Sequence, residues 1–256
     1  MLKAKKIWGQ HFLKDQEVIR AIYSQFPELD EQYYVLEVGP GPGVLTQELL
    51  AKYGERFYAV EVDPEMHAHL NRQFPQMKER LLLMDFLKLD LAKRFPGPLA
   101  IIGNFPYNIS SQIVFKILEN RDQVRMMLGM FQKEVAQRIV APHGSKDYGI
   151  LSVLAKPWYH MEYLFEVKQD AFDPPPKVMS AVIKLVRNDL QSLAVDERKF
   201  KETVKAAFNQ RRKMLRNSLK GIVKDVSVLE NPIFERRPEQ MSLDDFIYIV
   251  SHFIRP

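Results

Sequence analysis

Short apolar runs alternate with segments of helical pattern from about residue 35 to residue 186, and this alternation strongly limits the possible folds. Six runs are candidate strands: Val35–Val38, Phe57–Val62, Leu81–Met84, Leu99–Ile102, Met126–Phe131 and Ser180–Val186. Several are almost entirely apolar, which is typical of parallel strands covered on both faces. The helical segments between them are Leu45–Lys52, Glu65–Phe74, Ser111–Asn120 and Glu134–Ile139. The alternation predicts a doubly wound, Rossmann-like α/β sheet.

The C-terminal part of the chain has a different pattern. Residues 188–196 are polar and predict a linker, and only helical patterns follow. One apolar stripe recurs at helical spacing, through Phe200, Val204, Phe208, Leu215 and Leu219. Arg211 falls on that stripe, so we expect the helix to break near Asn209–Gln210. Ser242 and Asp245 form a capping-box pattern before a last helix, Ser242–Ile254. We therefore predict an α/β domain over residues 1–187 and a small all-α domain over residues 188–256.

Positive charge is concentrated in the second of these domains. The segment Arg198–Lys224 contains ten basic residues and one acidic residue, Glu202. Such a cluster suits a polyanionic partner, although a solvated helix face would explain the charge equally well.

Composition excludes several classes of protein. The chain has no cysteine, which removes disulfide scaffolds, thiolate metal sites and cysteine nucleophiles. Its apolar runs are far shorter than the roughly 18 residues that a membrane span needs. We therefore expect a soluble, cytoplasmic protein, and the chemistry predicted from the motifs below needs no metal.

A glycine-rich loop follows the first predicted strand. Gly39, Gly41 and Gly43 alternate with prolines, and Glu37 stands two residues before the first glycine. A dinucleotide site would show G-x-G-x-x-G. The shorter G-x-G-x-G spacing is typical of S-adenosylmethionine binding, and a simple tight turn between strand and helix is the alternative.

Acidic residues stand at or just after the ends of the next two predicted strands. Glu61 is placed to accept both hydroxyls of a ribose, and Asp63 is its competitor for that role. Asp85 follows the third strand and is placed to accept a hydrogen bond from an adenine amino group. Ligands of open α/β sheets lie at the carboxyl ends of the strands, so these residues predict one cofactor site.

The sequence Asn104-Phe105-Pro106-Tyr107 follows the fourth predicted strand and fits the (N/D)-x-P-(Y/F) box of amino-group methyltransferases. The Asn104 side-chain oxygen and the Pro106 carbonyl can each accept an N–H bond of an exocyclic amine and aim its nitrogen at a methyl donor. Tyr107 can stack on the base. The alternative is an Asn-Pro turn beside a core tyrosine.

A proline-rich loop carries Phe172, which is followed by Asp173 and three prolines. A loop stiffened in this way can hold Phe172 against the other face of a flipped base, opposite Tyr107. An apolar plug in a rigid loop is the alternative.

Motifs along almost the whole chain resemble those of the small-subunit ribosomal RNA adenine dimethyltransferases. They are the stretches 9–13, 39–43, 104–110, 132–135, 148–152, 172–178 and 208–219. The resemblance implies dimethylation of two adjacent adenosines in a hairpin near the 3′ end of the rRNA, late in ribosome assembly. The partner would be the immature small ribosomal subunit, bound by a monomeric enzyme that converts S-adenosylmethionine to S-adenosylhomocysteine.

The same resemblance implies roles for individual residues. An N-terminal segment containing His11 and Leu13 would fold over the cofactor, and His11 would contact it through either its side chain or its backbone. The rest of the cofactor site would comprise Gly39, Gly41, Glu61, Asp85 and Asn104. The RNA-binding residues would be Arg211, Arg212, Lys213 and Arg216. The chain departs from the commonest family pattern at His11, where asparagine is frequent, and at Phe105, where leucine is frequent.

Three other functions compete with this interpretation. Large-subunit methyltransferases of the erythromycin-resistance type share the catalytic boxes. A non-catalytic ribosome-assembly factor could use the same fold, but it would not need the Asn104–Tyr107 box. A nicotinamide-dependent oxidoreductase would require the G-x-G-x-x-G loop that this chain lacks.

Overall fold

The computed structural model describes residues 5–255, without the side chain of Lys6, and this part of the chain forms nine strands and ten α-helices. The strands are β1 (Phe12–Leu13), β2 (Tyr34–Val38), β3 (Phe57–Glu61), β4 (Leu81–Leu83), β5 (Leu99–Asn104), β6 (Val124–Gln132), β7 (Tyr159–Val167), β8 (Phe172–Asp173) and β9 (Ser180–Arg187). The helices are α1 (Gln16–Gln25), α2 (Thr46–Tyr53), α3 (Pro64–Gln73), α4 (Leu91–Arg94), α5 (Ser110–Glu119), α6 (Lys133–Val140), α7 (Ile150–Ala155), α8 (Glu197–Asn209), α9 (Leu215–Ser218) and α10 (Leu243–Phe253).

Seven of the strands form one sheet in the order β4-β3-β2-β5-β6-β9-β7. β2 pairs in parallel with both β3 and β5, and parallel pairing continues outward to β4 and β6. β9 then pairs antiparallel with β6. All six predicted strands lie in this sheet, which confirms the predicted α/β class. β1 and β8 pair separately as a two-stranded antiparallel sheet.

β7 was not predicted, because its sequence pattern is not that of a covered parallel strand. Polar residues interrupt its apolar ones, His160 and Glu166 are exposed, and Tyr159 and Val167 at its ends are buried. The strand lies at the edge of the sheet beside β9. An edge strand has neighbours on one side only and so does not need a continuous apolar run.

The chain divides into two compact units. One takes in the described residues up to Ala136 together with Met161–Arg187, and the other takes in Gln137–His160 together with the described residues from Asn188 onward. The domain boundary predicted between residues 187 and 188 remains a prediction, because the structural division also groups Gln137–His160 with the C-terminal residues. Within that second unit, the Tyr148 ring packs edge-on against Phe208 with 6.0 Å between centroids.

Local signals in the C-terminal part agree with the structure. α8 ends at Asn209, where a break was expected. Ser242 Oγ accepts the Asp245 N–H at 3.1 Å, and Asp245 Oδ2 accepts the Ser242 N–H at 2.8 Å, so the capping box begins α10 as predicted. All five residues of the apolar stripe are buried. Along residues 5–255, no helix is both long enough and apolar enough to cross a membrane.

Candidate active site

A cleft with about 890 Å³ of empty space, part of it open to solvent, lies at the carboxyl ends of β2, β3 and β5. Five stretches of chain contribute to its lining, within residues 8–13, 37–45, 60–62, 84–86 and 104–109. Four of these stretches meet because β2, β3, β4 and β5 are parallel and end at the same edge of the sheet. The fifth, residues 8–13, comes from the N-terminal segment, which ends in β1. Of the predicted cofactor residues, His11, Leu13, Gly39, Gly41, Glu61, Asp85 and Asn104 all line this cleft.

The glycine loop, residues 39–43, follows β2. Its three glycines have backbone conformations that would be strained in residues with a side chain. Gly39, Gly41 and Gly43 have φ values of 69°, 54° and 85°, which lie in the left-handed region. A Cβ on Gly41 would also lie 3.2 Å from Phe12 Cδ1. Glycine therefore keeps this side of the cleft as bare backbone, open to close approach by a ligand.

Glu61 at the end of β3 is held by backbone donors. Its Oε1 accepts the N–H groups of Val62 and Asp63, both at 2.9 Å, and its Oε2 accepts the Gly41 N–H at 3.3 Å. Burial raises the pKa of Glu61 although these three hydrogen bonds oppose the shift. Oε2 makes only the longest of the three bonds, so it is the oxygen best placed to accept from a hydroxyl of a ligand.

Glu37 is a second buried acid on the cleft wall, and it was not among the predicted site residues. Its Oε2 accepts from Thr46 Oγ1 at 2.6 Å. Burial raises the pKa of Glu37 to about 8, and the nearby charge of Glu61 adds to that shift, while the Thr46 hydrogen bond opposes it. A glutamate inside the otherwise apolar run Val35–Val38 was the available sequence signal, since buried strands rarely carry an unpaired acid.

Asn104 at the end of β5 is oriented by the N-terminal segment. Its Nδ2 donates to the His11 carbonyl oxygen at 2.9 Å. A carbonyl only accepts, so the amino half of the carboxamide must point to His11, which leaves the Asn104 oxygen for a ligand. Asp85 likewise uses one oxygen, Oδ1, to accept the Leu87 N–H at 2.9 Å, and keeps the other.

The ring of Tyr107 is positioned by two contacts. The His11 and Tyr107 rings stack with 5.4 Å between centroids and 29° between planes. The Tyr107 hydroxyl lies 2.5 Å from Ser180 Oγ, and burial raises the pKa of Tyr107. His11 Nδ1 lies 2.8 Å from the Pro174 carbonyl oxygen, so Nδ1 carries the proton and donates it there. Both the backbone and the side chain of His11 therefore take part in building the site.

The Pro106 carbonyl oxygen has local donors. The Ile109 N–H donates to it at 3.3 Å, and Ser110 Oγ lies 3.1 Å from it and 3.0 Å from the Tyr107 carbonyl oxygen. A serine hydroxyl has a single hydrogen. When Ser110 donates that hydrogen to the Tyr107 carbonyl oxygen, the Pro106 carbonyl oxygen can accept a hydrogen bond from an incoming amine.

The structure does not bring Phe172 into the cleft. Its side chain is fully buried (0% exposed) in the apolar core, and its backbone lies in β8, opposite Leu13 of β1. It is absent from the cleft lining. The expected sandwich of a base between Phe172 and Tyr107 does not fit this arrangement, because the ring would first have to leave the core. Here the ring stacked on Tyr107 is that of His11.

The donors and acceptors of the cleft fit an adenosyl cofactor. Glu61 Oε2 suits a ribose hydroxyl, the free oxygen of Asp85 suits an adenine amino group, and the glycine backbone allows close contact. Among residues 5–255, no group of three or more metal-ligating side chains could hold an ion.

Comparisons with known proteins agree with this chemistry. A family model described as "Ribosomal RNA adenine dimethylase" matches residues 1–242. The chain is 53% identical over 248 residues to "Ribosomal RNA small subunit methyltransferase A" of Parabacteroides distasonis, covering 96% of this chain and 92% of the relative. It is 52% identical over 256 residues to the protein of the same name in Bacteroides thetaiotaomicron, covering 98% and 94%.

Two solved structures share the fold. A dimethyladenosine transferase from Plasmodium falciparum superimposes with a TM-score of 0.76 at 24% identity, covering 93% of this chain and 95% of that one. The 23S rRNA methyltransferase ErmE superimposes with a TM-score of 0.67 at 27% identity, covering 94% and 100%. The predicted methyltransferase type of α/β sheet is thereby confirmed.

The missing side chain of Gly129 on β6 leaves room for the ring of Phe105. We therefore predict that the effect of enlarging residue 129 on stability depends on the size of residue 105. A Cβ at Gly129 would lie 2.2 Å from Phe105 Cε2 and 2.7 Å from Phe131 Cε2. We expect Gly129→Ala to lower the free energy of unfolding by about 1–3 kcal/mol through overpacking, and Phe105→Leu to restore part of it in the double variant. Urea unfolding measures both. Gly221→Ala, which meets open space, is the matched control. Additive effects of the two substitutions would contradict the pairing.

Glu37 predicts a pH dependence of stability. Its pKa rises from about 4.5 to about 8 in the fold, so between these values the folded protein holds a proton that the unfolded chain has lost. Within this pH range, the contribution of Glu37 to the free energy of unfolding therefore falls by about 1.4 kcal/mol per pH unit as pH rises. We expect urea unfolding at pH 5, 6.5 and 8 to show a shallower fall for Glu37→Gln than for wild type. The exposed Glu48→Gln should follow wild type, and an equal slope for Glu37→Gln would contradict the assignment.

Proposed function

The chain belongs to the ribosomal RNA adenine dimethylase family, and we propose that it methylates adenosines of small-subunit ribosomal RNA. The reaction would place two methyl groups on N6 of each of two adjacent adenosines in a hairpin near the 3′ end. One observation carries this proposal: Asn104 donates its amide N–H to the His11 carbonyl and so presents its oxygen as an acceptor beside Pro106 and Tyr107.

The N6 nitrogen of adenine is a weak nucleophile because its lone pair is delocalised into the ring. Hydrogen bonds from its two N–H groups to Asn104 Oδ1 and the Pro106 carbonyl oxygen would favour a pyramidal nitrogen. Tyr107, held by His11 and Ser180, would fix the plane of the base. Transfer of the methyl group from the sulfonium to N6 would leave S-adenosylhomocysteine and a cationic amine, which readily loses its proton to water. These residues would therefore act by positioning and electrostatics, and no strong general base is needed.

We assign the cofactor to the same cleft. S-adenosylmethionine, when bound, supplies a methyl group that its sulfonium makes electrophilic. Glu61 and Asp85 would hold the ribose and adenine, and Leu13 would cover the cofactor from the N-terminal segment. The backbone of the Gly39–Gly41 loop would lie along it, and Asn104 would serve both cofactor and target. No metal enters this proposal.

The relatives favour the small-subunit target. The two relatives that are 53% and 52% identical to this chain are both named for the small subunit. The structure named for 23S rRNA is 27% identical. The two solved structures are named for different activities but share one fold, so the fold does not distinguish the two targets. We therefore base the choice of target on sequence identity, and the large-subunit enzyme is the alternative.

We propose that the second unit binds the phosphates of the RNA. Arg212, Lys213 and Arg216 are exposed. Arg216 Nη2 lies 3.3 Å from Glu235 Oε1, whereas Arg211 is half-buried and donates to the Lys146 carbonyl. Exposed cations bind phosphates without reading bases, so this surface would orient the RNA and the cleft would select the adenosines. We further propose that the enzyme acts as a monomer on immature small subunits in the cytoplasm.

The proposal is tested by incubating the protein with labelled S-adenosylmethionine and immature small ribosomal subunits, followed by mass spectrometry of the rRNA. Dimethyladenosine at two neighbouring positions of the 3′ hairpin is the expected result. Modification of large-subunit rRNA alone would support the alternative target. Binding of cofactor and subunit without methyl transfer would instead indicate a non-catalytic assembly factor.

Asn104→Ala should separate catalysis from binding. Loss of an acceptor that acts on the reacting nitrogen is expected to lower the rate of methyl transfer on the order of 100-fold or more, with rRNA affinity nearly unchanged. Rates at saturating cofactor and a filter-binding assay measure the two effects. Asn108→Ala, at an exposed asparagine outside the cleft lining, is the matched control. Turnover of Asn104→Ala near that of wild type would rule out this mechanism.

Arg212→Ala with Lys213→Ala should weaken rRNA binding and reduce its salt dependence. Each lost phosphate contact reduces the magnitude of the slope of log binding constant against log salt concentration by about 1. We therefore expect the magnitude of that slope to be smaller by about 2 in the double variant. Arg72→Ala with Lys78→Ala removes the same charge from exposed positions of the other unit. An equal loss in that control would show that total charge matters and that the proposed surface does not.

A further inference from the structure

A strap of chain, residues 5–13, lies along the cleft and is fixed at both of its ends. At the C-terminal end, β1 pairs with β8, and the Lys14 N–H donates to the Ala171 carbonyl at 2.9 Å. At the N-terminal end, Lys5 Nζ donates to Asp63 Oδ1 at 2.8 Å. Six residues of the strap, Trp8–Leu13, all line the cleft. A ligand that enters or leaves on this side has to pass the strap.

Asp63 is the centre of the N-terminal anchor. Its side chain is 0% exposed. Oδ1 accepts from Lys5 Nζ and from the Glu65 N–H, the latter at 3.0 Å, and Oδ2 accepts from Gln10 Nε2 at 3.2 Å. Asp63 is also absent from the cleft lining. The acid that competed with Glu61 for the ribose therefore has another task, which is to hold the strap.

Lys5 and Gln10 act on Asp63 together. The Lys5 backbone N–H donates to Gln10 Oε1 at 2.8 Å, so the strap curls and presents both side chains to the same carboxylate. Lys5 Nζ also lies 2.5 Å from Glu65 Oε2, at an exposed glutamate. We call the set Lys5, Gln10 and Asp63 the clasp.

The two anchors differ in the kind of contact that holds them. Leu13 is buried in the core, and Asn104 holds the His11 carbonyl, so the C-terminal end is tied to apolar packing. The clasp consists of polar contacts to one carboxylate, and the Lys5 side chain is 34% exposed. Water can replace a polar contact but cannot replace apolar packing. The strap should therefore open at the clasp.

We infer that the clasp positions the strap over the bound cofactor, and that its opening sets how fast S-adenosylmethionine enters and S-adenosylhomocysteine leaves. The Asp63 N–H donates to Glu61 Oε1 at 2.9 Å, so the proposed ribose acceptor at the end of β3 is hydrogen-bonded to the clasp residue two positions later. A buried carboxylate without its cation is strongly disfavoured, which keeps the strap closed while Lys5 is present. This inference rests on the proposed function for the identity of the ligand.

Lys5→Met tests the clasp, because it removes the ammonium group and leaves most of the apolar stem. We expect faster hydrogen exchange at the backbone amides of residues 5–10 in the cofactor-free protein. We also expect about tenfold faster dissociation of labelled S-adenosylhomocysteine, and a higher KM for S-adenosylmethionine without a lower kcat. Asp63→Asn is a second variant, since an asparagine can still cap α3 while losing the charge.

Lys14→Met is the matched control, because the Lys14 side chain is exposed and only its backbone N–H, which the substitution keeps, belongs to the other anchor. It should keep the wild-type exchange and dissociation rates. If Lys5→Met and Asp63→Asn also match wild type in both measurements, the inferred role of the clasp is wrong. Failure of the wild-type protein to bind S-adenosylhomocysteine would contradict the proposed function instead, and hydrogen exchange in the cofactor-free variants would still decide whether the clasp holds the strap.

Discussion

The candidate site depends on the parallel pairing of β2 with both of its neighbours. Because β3 and β5 run in the same direction as β2, the glycine loop, Glu61 and Asn104 leave the sheet at one edge. A reversed neighbour would carry its functional residue to the opposite edge. These strands are almost entirely buried, so packing on both faces fixes where their ends lie, and the proposed mechanism depends on the positions of the acceptors at those ends.

The N-terminal strap completes what the sheet begins. The carbonyl of His11 orients the Asn104 carboxamide, and the His11 ring stacks on Tyr107. A hydrogen bond thus joins His11 and Asn104, two residues of the site that are 93 positions apart in the chain. The strap is held through Asp63 and β8, so cofactor access and the geometry of the amine acceptor would depend on the same segment.

Patterns confined to a few residues predicted the structure well. The six apolar runs all became strands of one sheet, and the Ser242–Asp245 capping box begins α10. The predictions were less complete where burial depends on distant parts of the chain. β7 was missed because an edge strand lacks the continuous apolar run. Phe172 was expected beside a base, and the structure places it in the core opposite Leu13.

The sequence by itself determined six of the seven strands of the large sheet, the glycine loop and the Asn104–Tyr107 box, because these depend on local periodicity and on adjacent residue types. Only the tertiary structure decided that Glu61 lines the cleft while Asp63 contacts Lys5 and Gln10, how the Asn104 carboxamide is oriented, and which ring stacks on Tyr107. Each of these depends on a hydrogen bond or a ring contact between segments far apart in the chain. Such contacts leave no periodic trace in the sequence, since they arise only when the sheet brings the segments together.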